Sequence, residues 1–292
     1  MLSKYRHHLL LHLIIFIWGF TGILGHVIKL EAYTIVWYRV FIAAFALAVV
    51  MPFIKSSFRV KSIKRLIQIS IVGILVGLHW VSFYKAVQLS TASLGVLCLA
   101  TTTLHVSWLE PIIMKRRFSW IEFLLSLVVV YGIYFVSGEI DPKQYIAIVY
   151  GLASALFAAC FAVFNTKLAE DTSPIQISFY EMLVAFIFLT GVLFFQGKLD
   201  YSIFSMRWAD FWWLLFLGVV CTSFAFLVVI QIMKRLGAFT VSLSINLEPV
   251  YTFLLAIFIL NENDILSAKF YLGSVVIVLV VIANGLLRSY KK

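Results

Sequence analysis

The segment Gly138-Glu139-Ile140-Asp141-Pro142-Lys143 interrupts an apolar chain close to its midpoint. Five runs of about 20 apolar residues, the length a helix needs to cross hydrocarbon, precede it, near 9–28, 33–54, 65–88, 91–114 and 118–137. Five more follow, near 145–167, 174–196, 211–233, 238–260 and 267–287. The breaks between runs, such as Lys29-Leu30-Glu31 and Asn261-Glu262-Asn263-Asp264, are too short for a folded soluble domain. The pattern predicts an all-α membrane protein of ten transmembrane helices, five in residues 1–143 and five in residues 144–292.

Composition agrees. Hydrophobic residues make up 63% of the 292 and charged residues 12%, with a mean hydropathy of +1.04. Soluble domains keep roughly a quarter of their residues charged. The 23 Lys and Arg against 13 Asp and Glu would suggest nucleic acid in a soluble protein; in a membrane chain they report orientation. With the N-terminus inside and ten alternating spans, the inner segments hold 16 basic residues and the outer segments six. Both termini are therefore expected in the cytoplasm, and no nucleic-acid partner is implied. Basic loops such as Lys55–Arg65 and Lys115-Arg116-Arg117 read as topology anchors that can touch anionic membrane lipid. Lys4 and Arg6 precede the first run with no small-residue cleavage site, so that run reads as a retained helix.

An odd number of spans per half forces the two halves into opposite orientations. Laid together without a gap, the fourth and ninth spans match Thr103 with Pro249 and Arg116 with Glu262. The second and seventh open alike, Thr34-Ile35-Val36-Trp37-Tyr38-Arg39 against Gln176-Ile177-Ser178-Phe179-Tyr180-Glu181. Two inverted five-helix repeats about an axis in the membrane plane suit alternating access, because the halves can exchange conformations.

Trp18-Gly19, Tyr38-Arg39, Phe83-Tyr84-Lys85-Ala86 followed by Ser90-Thr91-Ala92-Ser93, Leu247-Glu248-Pro249 and Asn261-Glu262 together resemble the drug/metabolite transporter superfamily, in particular its ten-helix EamA-type members. The chain departs from the pattern at Lys115-Arg116, where Gly-Glu is common, and at Thr103, where Pro is common. The resemblance implies a central cavity lined by helices one, three, four, six, eight and nine, and an integral multi-pass protein of a bacterial inner (plasma) membrane. It also implies a small-molecule substrate: members export amino acids and other small metabolites or take up organic cations, and distant relatives exchange sugar phosphates or nucleotide sugars.

Charged groups inside an apolar span need a reason, since each costs at least ~2.5–3.5 kcal/mol to insert. Glu248 lies about ten residues into the ninth run beside Pro249, which frees a helix carbonyl. It is placed to bind a cationic group of a substrate or to carry a coupled proton; the plain alternative is a structural hydrogen bond. Arg39 and Glu181 occupy matching places in the two halves, Arg39 toward the outer side and Glu181 toward the inner. Each is expected to snorkel or to bond loop carbonyls, gating its own side. Cys98, Thr101, Thr102, His105 and Trp108 recur at helical spacing and predict an inward polar face. Gly73, Gly77, Trp80 and Tyr84 do the same for the third span, and Trp18, Thr21, Gly22 and Gly25 for the first; helix packing is the competing explanation. His79 sits mid-span beside Trp80, and Glu110-Pro111 reads as interfacial. Candidate substrate-binding residues are thus Trp18, His79, Trp80, Tyr84, Thr101, Thr102, His105 and Glu248, with Glu248, Arg39 and Glu181 as coupling or gating residues.

Cys98, Cys160 and Cys221 lie in apolar runs at no metal-like spacing and read as small core residues. No phosphate-cradling glycine loop with Lys, no His-Glu-x-x-His helix and no nucleophile elbow occurs, so no cofactor, metal or ATP-driven step is implied. The leading expectation is a secondary carrier exporting a small organic metabolite, with a proton or another coupling ion. An intramembrane enzyme on lipid-linked substrates would need convergent acids or His at one membrane face, and a channel would need a ring of like residues around a pore.

Overall fold

The computed structural model describes residues 2–90, 101–137, 145–248 and 250–252, with isolated positions between 95 and 99 and between 255 and 283. The break at Gly138–Lys143, Thr91, Pro249, the Asn261–Asp264 segment and most of the tenth run lie outside the described residues. The helices are α1 (Leu2–Val27), α2 (Ala32–Phe53), α3 (Ile63–Leu89), α4 (Thr102–Met114), α5 (Trp120–Ser137), α6 (Tyr145–Leu168) and α7 (Pro174–Phe195). They continue with α8 (Trp208–Leu236) and α9 (Ala238–Ile245). Among the described residues, six helices are long and apolar enough to cross a membrane: α1, α2, α3, α6, α7 and α8. The molecule is an all-α membrane protein.

Local chemistry sets the helix ends. Ser62 caps α3, its hydroxyl accepting the Arg65 N–H at 3.2 Å, and Pro174 opens α7, where a missing N–H loses nothing. Gly237, at φ +82°, turns the chain from α8 into α9 in a conformation other residues resist. The helix termini gather at two ends. At one, Lys167 Nζ donates to Ile113 O (3.1 Å), Gln176 Nε2 to Ser57 O (2.6 Å), and Arg65 pairs with Asp171. At the other, Lys198 pairs with Glu31 (2.5 Å) and Arg207 with Asp210 (2.5 Å). The Lys198 hydrogen bond holds the Glu31 carboxyl below its ordinary pKa.

The matched helices run antiparallel in space. Trp37 Nε1, early in α2, donates to Thr190 Oγ1, late in α7, at 2.8 Å. Tyr180 OH, early in α7, reaches the Phe58 carbonyl beyond the end of α2. Likewise Glu110, near the end of α4, accepts the N–H of Phe239 at the start of α9 (3.2 Å). Glu110, which the sequence reads as interfacial, is buried within the protein at the end of α4, where it caps the first turn of α9 and pairs with Arg116 at 2.9 Å. An isolated helix start leaves its first N–H groups unpaired, and a carboxylate satisfies one of them.

Two glycine crossings repeat this relation between the halves. A Cβ on Gly73 of α3 would stand 2.8 Å from the Glu181 carbonyl oxygen and 3.1 Å from Val184 Cβ on α7. A Cβ on Gly218 of α8 would stand 3.3 Å from the Arg39 carbonyl oxygen and 2.7 Å from Ile42 Cβ on α2. The residues met, 181 and 184 in one case and 39 and 42 in the other, match under the sequence register given above. Contact this close between helix backbones is what holds membrane bundles together in the absence of a hydrophobic drive between helices. Gly73→Val and Gly218→Val are each expected to destabilise the protein by about 1–3 kcal/mol. Gly191, with nothing within 4 Å of its added Cβ, should accept Ala with a change within about 0.5 kcal/mol. Thermal melts in detergent would read all three.

Candidate functional site

A cavity of about 80 Å³ lies in the bundle centre, walled by α1, α2, α3, α4, α6, α8, α9 and the residues following α9. A volume of that size has room for several waters, or for a small metabolite in their place. Six of the sequence candidates meet in its wall: Trp18, Arg39, His79, Trp80, Thr102 and Glu248. Phe161, Phe226 and Met233 supply apolar area. The aromatic rings form a connected wall, Trp80 to Phe226 at 5.7 Å, Phe226 to Phe161 at 5.7 Å and Phe161 to the His79 ring at 5.3 Å.

Arg39 is the part of the wall that the resemblance left out, since α2 was not among the expected lining helices. It neither snorkels nor bonds loop carbonyls; it is 3% exposed. Its guanidinium carbon lies 4.0 Å from the centre of the Trp80 ring. Nε donates to Thr222 Oγ1 at 2.7 Å, and Nη1 reaches Tyr84 OH at 3.4 Å. Stacking on an aromatic face and donating in a planar fork are what a guanidinium does better than an ammonium.

The acceptor for Nε exists because α8 loosens into a π turn over Val219–Phe224. Thr222 Oγ1 donates to Leu217 O (2.7 Å) and Ser223 Oγ to Gly218 O (2.9 Å), taking carbonyls five residues back. The Cys221 carbonyl is left to accept Trp18 Nε1 at 2.9 Å. π turns within α-helices often mark functional sites; here one turn orients both Arg39 and Trp18.

Glu248 is buried at 5% exposure and reaches Thr21 Oγ1 at 3.5 Å; the Thr21 hydroxyl also donates to Trp18 O at 2.8 Å. Arg39 and Glu248 share the cavity, yet among the described residues no ion pair joins them. Just before Glu248 the helix tightens: Asn246 N–H turns to Leu243 O (3.2 Å) and Leu247 N–H to Ser244 O (3.0 Å). That frees the Ser242 carbonyl, which accepts Thr103 Oγ1 at 3.2 Å, while Asn246 Nδ2 donates to the same hydroxyl at 2.8 Å.

His79 is held by α6. Its Nδ1 lies 3.0 Å from the Ser154 carbonyl, which can only accept, so Nδ1 carries the hydrogen. The Ser154 hydroxyl donates back to His79 O at 3.0 Å. In the neutral ring Nε2 is then the acceptor.

The other candidates sit elsewhere. Tyr84 is fully buried beneath the cavity, its ring 3.2 Å from where a Gly25 Cβ would be, and it supports Arg39 from below. The predicted inward face of α4 divides. Thr102 lines the cavity and bonds Ala155 O (3.3 Å). Thr101 turns its hydroxyl back to Cys98 O (2.7 Å), and His105 is only partly buried beside an exposed Trp108. The inward face of α4 is Thr103, Ser107 and Glu110, because α9 packs there and not on the Thr101–His105 face. Glu181 lies outside the cavity; contrary to expectation it bonds no loop carbonyl but accepts Asn165 Nδ2 at 3.3 Å, fully buried. Thr222, Ser154, Asn246 and Thr103 are site residues the sequence reading did not select.

A buried cavity with polar groups of both signs, set in a bundle of apolar spanning helices, suits a membrane transporter. The profile of the EamA-like transporter family matches residues 6–138 and again 145–285. The chain belongs to that family, within the drug/metabolite transporter superfamily, and is a transporter, not an enzyme. A solved crystal structure shares the fold, with a TM-score of 0.78 over 98% of this chain and 99% of its own at 14% identity. No curated protein matches the sequence.

Thr222→Val removes the acceptor for Arg39 Nε while keeping shape. It is expected to destabilise by about 1–3 kcal/mol, as an unmet buried donor does, measured by thermal melting against Thr190→Val at the α2–α7 contact.

Proposed function

We propose that the chain is a secondary carrier that exports a small zwitterionic metabolite, such as an amino acid or related compound, by alternating access. The observation that carries this is a single cavity holding a buried guanidinium and a buried carboxylate that do not pair with each other. Each is positioned to meet the opposite charge on a substrate: an ammonium at Glu248, a carboxylate at Arg39. The apolar body of the substrate would lie against Trp80, Phe161 and Phe226, with Thr102, Asn246 and His79 Nε2 as polar contacts.

The frame is ten transmembrane helices in two inverted five-helix repeats, residues 1–143 and 144–292, with both termini cytoplasmic. The antiparallel pairing of α2 with α7 and of α4 with α9, and the matched glycine crossings, support the inversion. The basic segments around 55–65, 113–117, 167 and 234–235 share one end of the bundle, which fits a cytoplasmic face. The cavity reaches Met233, three residues from the end of α8 on that side, while Tyr84 and Arg39 close it toward the other, so this conformation reads as inward-facing.

In medium from cells that overexpress the chain, one class of zwitterion should accumulate, and Glu248→Ala should abolish the enrichment. In proteoliposomes, trans substrate should accelerate uptake of a labelled amino acid from a panel, with Glu248→Gln raising KM about tenfold or more, the loss of one charge-assisted contact. Conductance that fails to saturate would instead indicate a channel.

A further inference from the structure

The central cavity does not account for all the buried polar chemistry of the bundle. Asn165 Oδ1 on α6, and Ser178 Oγ and Glu181 Oε1 on α7, have no hydrogen-bond partner among the described residues. All three residues are fully buried. Ser178 and Glu181 are three residues apart and so share a helix face, and Asn165 Nδ2 holds Glu181 Oε2 at 3.3 Å. Buried polar atoms are almost always satisfied, so a group left unmet points to an occupant. Here the unmet atoms are oxygens of the carboxylate itself, of the amide that holds it and of a serine on the same helix face, and among the described residues no cation pairs with that carboxylate.

We propose that Glu181, Asn165 and Ser178 form a binding site for one small monovalent cation, a proton or Na⁺, distinct from the substrate cavity and serving as the carrier's coupling site. The proposal rests on the alternating-access reading above. Either occupant removes the uncompensated charge. A proton taken from water adds to Oε1, turns that acceptor into a donor toward Ser178 Oγ or Asn165 Oδ1, and is returned to water when the site opens. Na⁺ would instead be held by the three oxygens, the hard ligands such an ion prefers.

The charged groups of the surrounding helices are engaged elsewhere or lie at the bundle end, and the free thiol of α6, Cys160, carries no positive charge. On α3, Lys64 is exposed, Arg65 pairs with Asp171, and His79 is turned to Ser154. On α6, Lys167 bonds Ile113 O; on α8, Lys234 bonds Glu170 O and Arg235 is exposed. On α2, Arg39 is bound to Thr222 and Tyr84, and Tyr180 of α7 itself bonds Phe58 O. None competes for Glu181.

The site is joined to the cavity through α3. Gly73 lies against the backbone of Glu181, Gly77 faces Ala185, and Trp80, about one turn further along, is cavity wall. The matching residue in the first half, Arg39, already lines the cavity. If the halves exchange conformations, Glu181 takes the place Arg39 holds now and opens to the cavity, where its ion can exchange with water. In the present conformation it is sealed. Substrate and ion would thus face the solvent in a linked order.

Ion binding can be read without knowing the substrate. The full chain, purified in detergent, is melted in increasing NaCl with choline chloride holding ionic strength constant, and then across pH in choline alone. A sodium site raises the melting temperature with NaCl by roughly 2–4 °C; a proton site leaves the NaCl series flat and gives stabilisation that fades as the pH rises and the site empties. Glu181→Gln abolishes the sodium response, or in the pH series removes the part that Glu181 adds to that of the buried Glu248 carboxyl, and Ser178→Ala or Asn165→Leu weakens the apparent affinity at least tenfold. Gly191→Ala, at a position with open space around it, retains it. Should Glu181→Gln fail to fold, the Ser178 and Asn165 variants decide. A response to neither ion, or the same response in wild type and in these variants, overturns the proposal. Counterflow of the labelled amino-acid panel is measured separately: counterflow with no ion response sinks the site alone, and an ion response without counterflow sinks the carrier reading alone.

Discussion

A guanidinium carried into the middle of an apolar bundle must find its compensation there, and much of the central architecture answers that need. Arg39 is almost wholly enclosed by protein, so Trp80 supplies its ring face, Tyr84 a hydroxyl and Thr222 an acceptor. Thr222 can serve only because α8 departs from regular α geometry at that point, and the same departure gives Trp18 its carbonyl. Remove the charge and the π turn, the Trp18 anchor and the Tyr84–Gly25 contact lose a common purpose. An unpaired ion this deep would be expensive; what remains unsatisfied is its affinity for a counter-charge, and that is the property a binding site needs.

Close helix contact is the second constraint. Lipid tails are as apolar as leucine, so the helices gain little by hiding from them and must instead approach until backbones touch. Gly73 and Gly218 permit this at matching crossings. Each crossing places a charged residue, Glu181 or Arg39, directly under a helix that carries an aromatic into the cavity, Trp80 from α3 and Phe226 from α8. The two rings meet at 5.7 Å.

The sequence exposes part of this. Long apolar runs reveal helices because the membrane admits few other structures, and Arg39, Glu181 and Glu248 stand out because charge is rare there. Trp18, Trp80 and Thr102 follow from helical spacing, and His79 from its place mid-span beside Trp80. What spacing cannot give is which neighbour covers which face: the Thr101–His105 side of α4 seemed the polar lining, but α9 packs on Thr103 and Glu110 instead. Thr222 was hidden for another reason. In an ideal helix its hydroxyl would bond the carbonyl three or four residues back, and only the wider turn aims it at Arg39. The adjacent polar pair Thr222-Ser223 within an apolar run was the available signal, as was Asn246 two places before Glu248.

The π turn is also visible in residue counts. Gly218 follows its counterpart Gly73 by 145 positions, whereas Phe226 follows Trp80 by 146, the same interval that separates Thr103 from Pro249. Between the glycine crossing and the aromatic contact the second half is one residue longer than the first, and the π turn at Val219–Phe224 lies within that stretch. One residue accommodated as a wider turn is enough to make the two halves unlike at their centre: the half with the π turn offers a cradle for an arginine, and the regular helix opposite it does not.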